Sequence, residues 1–121
     1  MASLEMGKTY YQFNRDKINT VITRKCCGNY ALGYIADDTF IVKYVGRADS
    51  DVRERLLQHI DEDYESFKFS YATSPKDAFE KECKNYHDFG GDEGRLHNKI
   101  HPDRPSNSKS WKCPCCDKFD D

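Results

Sequence analysis

Residues 43–60 read KYVGRADSDVRERLLQHI. They set Tyr44 and Gly46 at the end of a β-favouring run. A polar turn follows, then a helical pattern carrying Arg55 and His59 four positions apart. Such groups suit chemistry at phosphorus. Hydrolysis of a phosphodiester needs an activated water, neutralised charge on the pentacovalent phosphorus, and a proton for the departing oxygen. Arginine offers a planar fork matched to phosphate oxygens. A histidine at i+4 shares the arginine's helix face. A phenol, with an ordinary pKa near 10, takes a proton from water only where a nearby cation favours its ionised form.

Those side chains need a scaffold. A chain of 121 residues suits one domain spanning 1–121. Its 13% aromatic content, with eight tyrosines and seven phenylalanines, is too high for a disordered chain and points to an aromatic-rich core containing a sheet. Residues 30–36 (YALGYIA) and 39–46 (TFIVKYVG) read as two strands of a hairpin turning at Asp37 and Asp38. Both are apolar on both faces, which suits a sheet covered on each side. Asp49 or Ser50 serves as the cap of an amphipathic helix bearing Val52, Leu56 and Ile60. Residues 64–72 alternate as a third strand, with Phe67, Phe69 and Tyr71 on one face. Ser74 and Pro75 open a second helix. Its buried stripe is Phe79, Cys83 and either Tyr86 or His87, and Gly90–Gly91 end it. Residues 9–22, with Tyr10, Phe13, Ile18, Val21 and Ile22, fit a short helix or a packed loop equally well. The expected class is α/β in the α+β sense: a small central sheet of about three strands flanked by helices, followed by an irregular Cys-bearing C-terminal tail.

The net charge of −2 and isoelectric point of about 6.1 exclude a generic polycationic nucleic-acid binder. A local basic stretch still exists. Arg95, Lys99, Arg104, Lys109 and Lys112 stand against Asp103 alone, while acids cluster at Asp61, Glu62, Asp63 and Glu65. The basic stretch permits moderate phosphate contact and equally suits a solvated loop. His97, His101 and Arg104 either touch nucleic acid or pack as part of the tail. The opening MASLEMGKTYYQF lacks the apolar run of a signal peptide, and no stretch reaches membrane-spanning length. A cytoplasmic protein with no membrane association is therefore expected, its cysteines reduced or metal-bound.

The ordered set "GNYALGYIADDTFIVKYVG", "RERLLQH", "AFEKECKNY" and "LHNKIHP" resembles the GIY-YIG nuclease superfamily over roughly residues 28–100. Tyr30 stands for the tyrosine of the first motif and Tyr44-Val45-Gly46 for the second. Arg55, His59, Glu82 and Asn98 match the family's arginine, a histidine found in many members, the metal-binding glutamate and the asparagine that closes the core. The motif tyrosines lie fourteen positions apart, wider than usual, and Tyr34 is the rival for the first. A hairpin pairing Tyr30 with Tyr44 centres on Asp37, whereas one pairing Tyr34 with Tyr44 centres on Thr39 inside a β-favouring run. That favours Tyr30, with Tyr34 on the same face and able to line the site.

The resemblance implies an endonuclease that hydrolyses phosphodiester bonds in DNA, with RNA not excluded. It implies Tyr30 as base, Tyr44 orienting water or phosphate, Arg55 clamping phosphate oxygens, His59 assisting, and one Mg²⁺ or Mn²⁺ on Glu82. Arg47 and Asn98 join as substrate contacts. The alternative is a weak or inactive binding module on the same fold. The isoelectric point suits that alternative, or a nuclease that needs a protein partner. Cys113-Pro-Cys115-Cys116 holds a C-x-x-C spacing, and Cys113 and Cys116 could join Cys26 and Cys27 around a structural Zn²⁺ that clips the tail 101–121 to the domain. Free thiols or a disulfide between the two segments are the alternatives.

Overall fold

The computed structural model describes residues 4, 6, 9–91 and 94–98. Over these the chain is an α+β fold with one antiparallel four-stranded sheet and three helices. In chain order the elements are β1 (Tyr11–Gln12), α1 (Arg15–Val21), β2 (Gly28–Ala36), β3 (Thr39–Ala48), α2 (Val52–Leu57), β4 (Ser66–Tyr71) and α3 (Pro75–Asp88). The sheet runs β1-β4-β2-β3. Three strands were expected. The fourth, β1, is a two-residue edge pairing Tyr11 with Phe67 and Gln12 with Ser66. The ambiguous segment 9–22 thus divides into an edge strand and a helix, separated by Asn14, whose side chain accepts from the Lys17 N–H as an N-cap.

The β2–β3 hairpin turns at Asp37 and Asp38, with φ of 51° and 61°. Two successive left-handed residues make the primed turn that matches strand twist, and aspartate tolerates this better than most residues. The turn sets Ala36 opposite Thr39. Between Leu32 and Gly33 the register shifts by one, because Lys43 is an extra residue on β3.

The period-two alternation of β2 divides the core. Tyr30 and Leu32, with Phe67 of β4, pack against Ile18, Ile22, Val52 and Leu56 from the side of α1 and α2. Ala31 and Val45 face the other way, toward Tyr86 and Leu96. The covered-on-both-sides expectation holds for β2, whose first six residues are buried. It fails for the first half of β3, where Ile41 is exposed, because neither helical layer extends that far.

Two helix starts follow from caps. Asp51, not Asp49 or Ser50, caps α2, its Oδ1 accepting from the N–H groups of Arg53 and Glu54. Ser74 caps α3, with proline in the first turn. The buried stripe of α3 contains Phe79, Cys83 and Tyr86, and also Glu82 and Asn85. Gly90 follows the helix with φ of +79°, a left-handed residue that ends it and returns the chain toward β3. No helix among the described residues is long and apolar enough to cross a membrane.

Candidate active site

Tyr30 is fully buried at the start of β2 and pairs across the hairpin with Gly46. The expected partner was Tyr44, which instead faces Leu32. The two-residue turn moves every partner one place along β3, and the bulge at Lys43 moves the partners of residues 28–32 one place more, two in all. Because the move is an even two residues, Tyr44 keeps its place on the same face. The two phenols are therefore diagonal neighbours, stacked with ring centroids 6.4 Å apart and planes 18° apart. Glycine opposite Tyr30 is a steric requirement. A Cβ at position 46 would lie 2.4 Å from Tyr30 Oη and Cζ. Tyr34 does not line the pocket. It stands about 13 Å further along β2 at ~3.3 Å per residue, with its hydroxyl donating to the Asp63 carbonyl.

The pocket has a volume of about 490 Å³. Tyr30, Tyr44, Arg47, Arg55, Glu82 and Asn98 all line it, together with Asp49 and the cap residue Asp51. Arg55 projects from the exposed side of α2, with Gln58 Oε1 3.4 Å from its Nη1. His59 was expected on that same helix face. The helix ends at Leu57, and His59 lies in the following turn, its N–H donating to the Leu56 carbonyl. That tighter turn swings the ring inward. His59 Nε2 sits 2.8 Å from Tyr30 Oη, and Nδ1 sits 2.6 Å from Glu62 Oε2. The imidazole also packs 5.1 Å from the Tyr44 ring.

Glu82 enters from α3. Its Oε1 accepts from Arg47 Nη1 at 2.6 Å, while Arg47 Nε donates to Asp49 Oδ1 at 3.0 Å. The Arg47 guanidinium also lies over the Phe79 ring, 5.3 Å from its centroid. Arg47 is therefore engaged by protein groups, where a substrate contact was expected. Asn98 is engaged too. Its Oδ1 accepts from the Val45 N–H at 3.0 Å and its Nδ2 donates to the Val45 carbonyl at 2.8 Å. It lines the pocket while serving as a substitute strand partner for β3.

Burial and the neighbouring Tyr44 push the Tyr30 phenol well above its ordinary range, against the opposing pull of Arg55. Burial and the Glu82 carboxylate raise Tyr44 as well. Burial pushes the Glu82 carboxyl up to about 7, outweighing the Arg47 guanidinium beside it. A phenol so placed does not ionise by itself near neutrality. It can accept a proton only while giving up its own, and His59 Nε2 is the ring nitrogen within reach, donor or acceptor according to its tautomer.

The donor set suits one hard divalent ion. Such an ion needs one or two carboxylates, with water and substrate oxygens completing its shell. Glu82 Oε2 has no hydrogen-bond partner among the described residues. Those residues contain no group of three or more His, Cys, Asp or Glu arranged to hold a metal, so Glu82 would hold it with water and ligand oxygens. Cys26 and Cys27 do not line the pocket. Both are half-buried thiols ahead of β2, in no disulfide among the described residues and directed at the Ala72 carbonyl at 3.6 and 3.5 Å. Burial and the adjacent Cys26 raise the Cys27 thiol. Cys113 and Cys116, the other half of the zinc expectation, lie outside the described residues, as do His101 and Arg104. His97 is held by Tyr64, whose hydroxyl is 3.0 Å from His97 Nδ1. Comparison with protein-family models, curated proteins and solved structures finds no match.

Proposed function

We propose that this pocket hydrolyses phosphodiester bonds in DNA, as in the GIY-YIG nucleases that the sequence resembles. One observation carries the proposal. Tyr30, Tyr44, Arg55 and Glu82 come from β2, β3, α2 and α3, and their side chains line a single pocket of about 490 Å³. Two phenols, a guanidinium and a buried carboxylate are groups able to supply a proton relay, a phosphate clamp and a metal ligand for phosphoryl hydrolysis.

The Arg55 fork holds two non-bridging oxygens of the scissile phosphate. A water attacks phosphorus as its proton passes to Tyr30 Oη and the phenolic proton passes to His59 Nε2. Tyr44, stacked on Tyr30, orients the water. The bond to the departing oxygen breaks, its electron pair stays on that oxygen, and solvent supplies the proton. Mg²⁺ or Mn²⁺ on Glu82, when bound, supplies positive charge to the phosphoryl and departing oxygens. RNA carries the same phosphodiester, so these groups do not by themselves select DNA.

One observation favours a second reading, a nucleic-acid or protein binding module on this fold. Glu82 Oε1 already accepts from Arg47 Nη1, so an ion must compete with an internal cation. Incubation with plasmid and branched DNA, with Mg²⁺ or Mn²⁺ and with chelator, separates the two. The proposal expects cleavage that chelator stops and that Arg55→Ala and Glu82→Ala abolish. Binding without cleavage supports the module, and equal residual cleavage in both variants exposes a contaminant and overturns the proposal.

A further inference from the structure

We infer that Glu62 is a positioning residue that fixes His59 as the proton acceptor for Tyr30, completing a Tyr30–His59–Glu62 relay. This deepens the hydrolytic reading of the same pocket and rests on it.

The geometry starts in the backbone. The Glu62 N–H donates to the His59 carbonyl at 2.9 Å, closing a turn that returns the Glu62 side chain to the imidazole. Glu62 Oε2 then lies 2.6 Å from His59 Nδ1, and His59 Nε2 lies 2.8 Å from Tyr30 Oη. Glu62 is about half exposed, at 47%, and as a carboxylate it offers Nδ1 only an acceptor. The hydrogen on Nδ1 is therefore directed at Glu62. In a neutral imidazole this leaves Nε2 as a lone-pair acceptor, and the Tyr30 hydroxyl must be the donor across the 2.8 Å contact.

The consequence is a set direction of proton flow. The side-chain contact of the Tyr30 hydroxyl is His59 Nε2, so that nitrogen is the nearest place for its proton. With the opposite tautomer, Nε2 would donate to Tyr30 and the chain would have no acceptor. As water loses a proton to Oη, the Oη–H bond breaks, a new N–H bond forms at Nε2, and the imidazolium faces the Glu62 carboxylate. No electron is exchanged and no further reactant is needed. Solvent screening at Glu62 limits its charge effect, so its main contribution is choice of tautomer and ring orientation, as for the carboxylate behind the histidine of a serine-hydrolase triad.

Two measurements on the full chain test this. Side-chain ¹⁵N resonances of His59 report which nitrogen carries the hydrogen, with no need for activity. Wild type is expected to show Nδ1–H with a bare Nε2, and Glu62→Ala to shift toward a mixture. An Nε2–H tautomer in wild type, or an unchanged tautomer in Glu62→Ala, overturns the relay whether or not the protein cleaves DNA. General-base assistance is worth about 10²- to 10⁴-fold. Loss of the orienting group should remove about 10- to 100-fold of that from kcat on plasmid DNA with Mn²⁺, with KM unchanged and with recovery in Glu62→Asp. Full activity in Glu62→Ala also overturns the relay. The predicted tautomers in a chain that does not cleave uphold the Glu62–His59 arrangement and overturn the hydrolytic reading alone.

Discussion

Gly46→Ala tests whether the Tyr30 ring is held where the chemistry needs it. The backbone at Gly46 is ordinary strand, since its φ is not among the positive values. Alanine there should therefore stabilise by about 0.4–1 kcal/mol through the unfolded chain. The added Cβ opposes this. It would lie 2.4 Å from Tyr30 Oη and Cζ, roughly 1 Å inside ordinary contact. Tyr30 is 1% exposed and stacked on Tyr44, so its ring has no solvent to move into. Overpacking of this kind costs about 1–3 kcal/mol, and it wins. The net loss should appear in urea denaturation and as a fall of several degrees in Tm. The same ~1 Å displacement breaks the 2.8 Å bond to His59, and misplacement on that scale costs about 100-fold in rate. A double-mutant cycle isolates the cause. In a Tyr30→Ala background no ring meets the new methyl, and Gly46→Ala should be neutral or slightly stabilising. Equal destabilisation in both backgrounds, or a single variant as stable as wild type, refutes the packing account.

Glu82 titrates near 7 in the folded chain against an ordinary 4.5. Because the folded value is raised, the neutral form favours folding. That contribution is whole below pH 4.5 and is lost as pH rises through 7, roughly 3 kcal/mol at ~1.4 kcal/mol per unit. Urea titrations should show Glu82→Gln gaining on wild type as pH rises from 4.5 to 8, and a pH-independent difference would contradict the burial. Asp51→Ala, which leaves the Arg53 and Glu54 N–H groups uncapped, should lose about 1 kcal/mol, read from the urea midpoint. Asn98→Ala strips both hydrogen bonds from Val45 and should cost about 1–3 kcal/mol, with faster amide exchange at Val45.

Much of the frame was legible because local signals agreed with one another. Asp37 and Asp38 interrupt two β-favouring runs, and the turn is there. Ser74 and Pro75 announce α3, and the helix starts there. The register was not legible. A bulge leaves no compositional mark, so the extra residue at Lys43 could not be told from regular pairing, and Tyr30 was matched to Tyr44 two residues early. The tyrosines still share a pocket because an even shift preserves the face. Helical spacing misled at His59. Val52, Leu56 and Ile60 repeat beyond the end of α2, and Ile60 does pack on the core, but from a turn. Spacing alone cannot tell a last helical turn from a tighter one. In the sequence Glu62 stands as one member of an acidic run. Its relation to His59 at i+3 was available in the sequence, yet it gains meaning only once the imidazole is known to point inward. The engagement of Arg47 by Glu82 and Asp49 depends on how α3 lies on β3, a long-range packing that no local pattern encodes.

Among the described residues β3 is the last strand of its sheet, and such a strand would ordinarily invite another chain to extend the ladder. Here a single carboxamide answers both main-chain groups of Val45 and the His97 N–H donates to the Lys43 carbonyl, so part of that edge is already taken by groups outside any strand. That carboxamide also borders the cavity. A fragment cut at Gly91 would therefore lose both Val45 hydrogen bonds and one wall of its pocket in the same step, and any minimal unit has to run past residue 98.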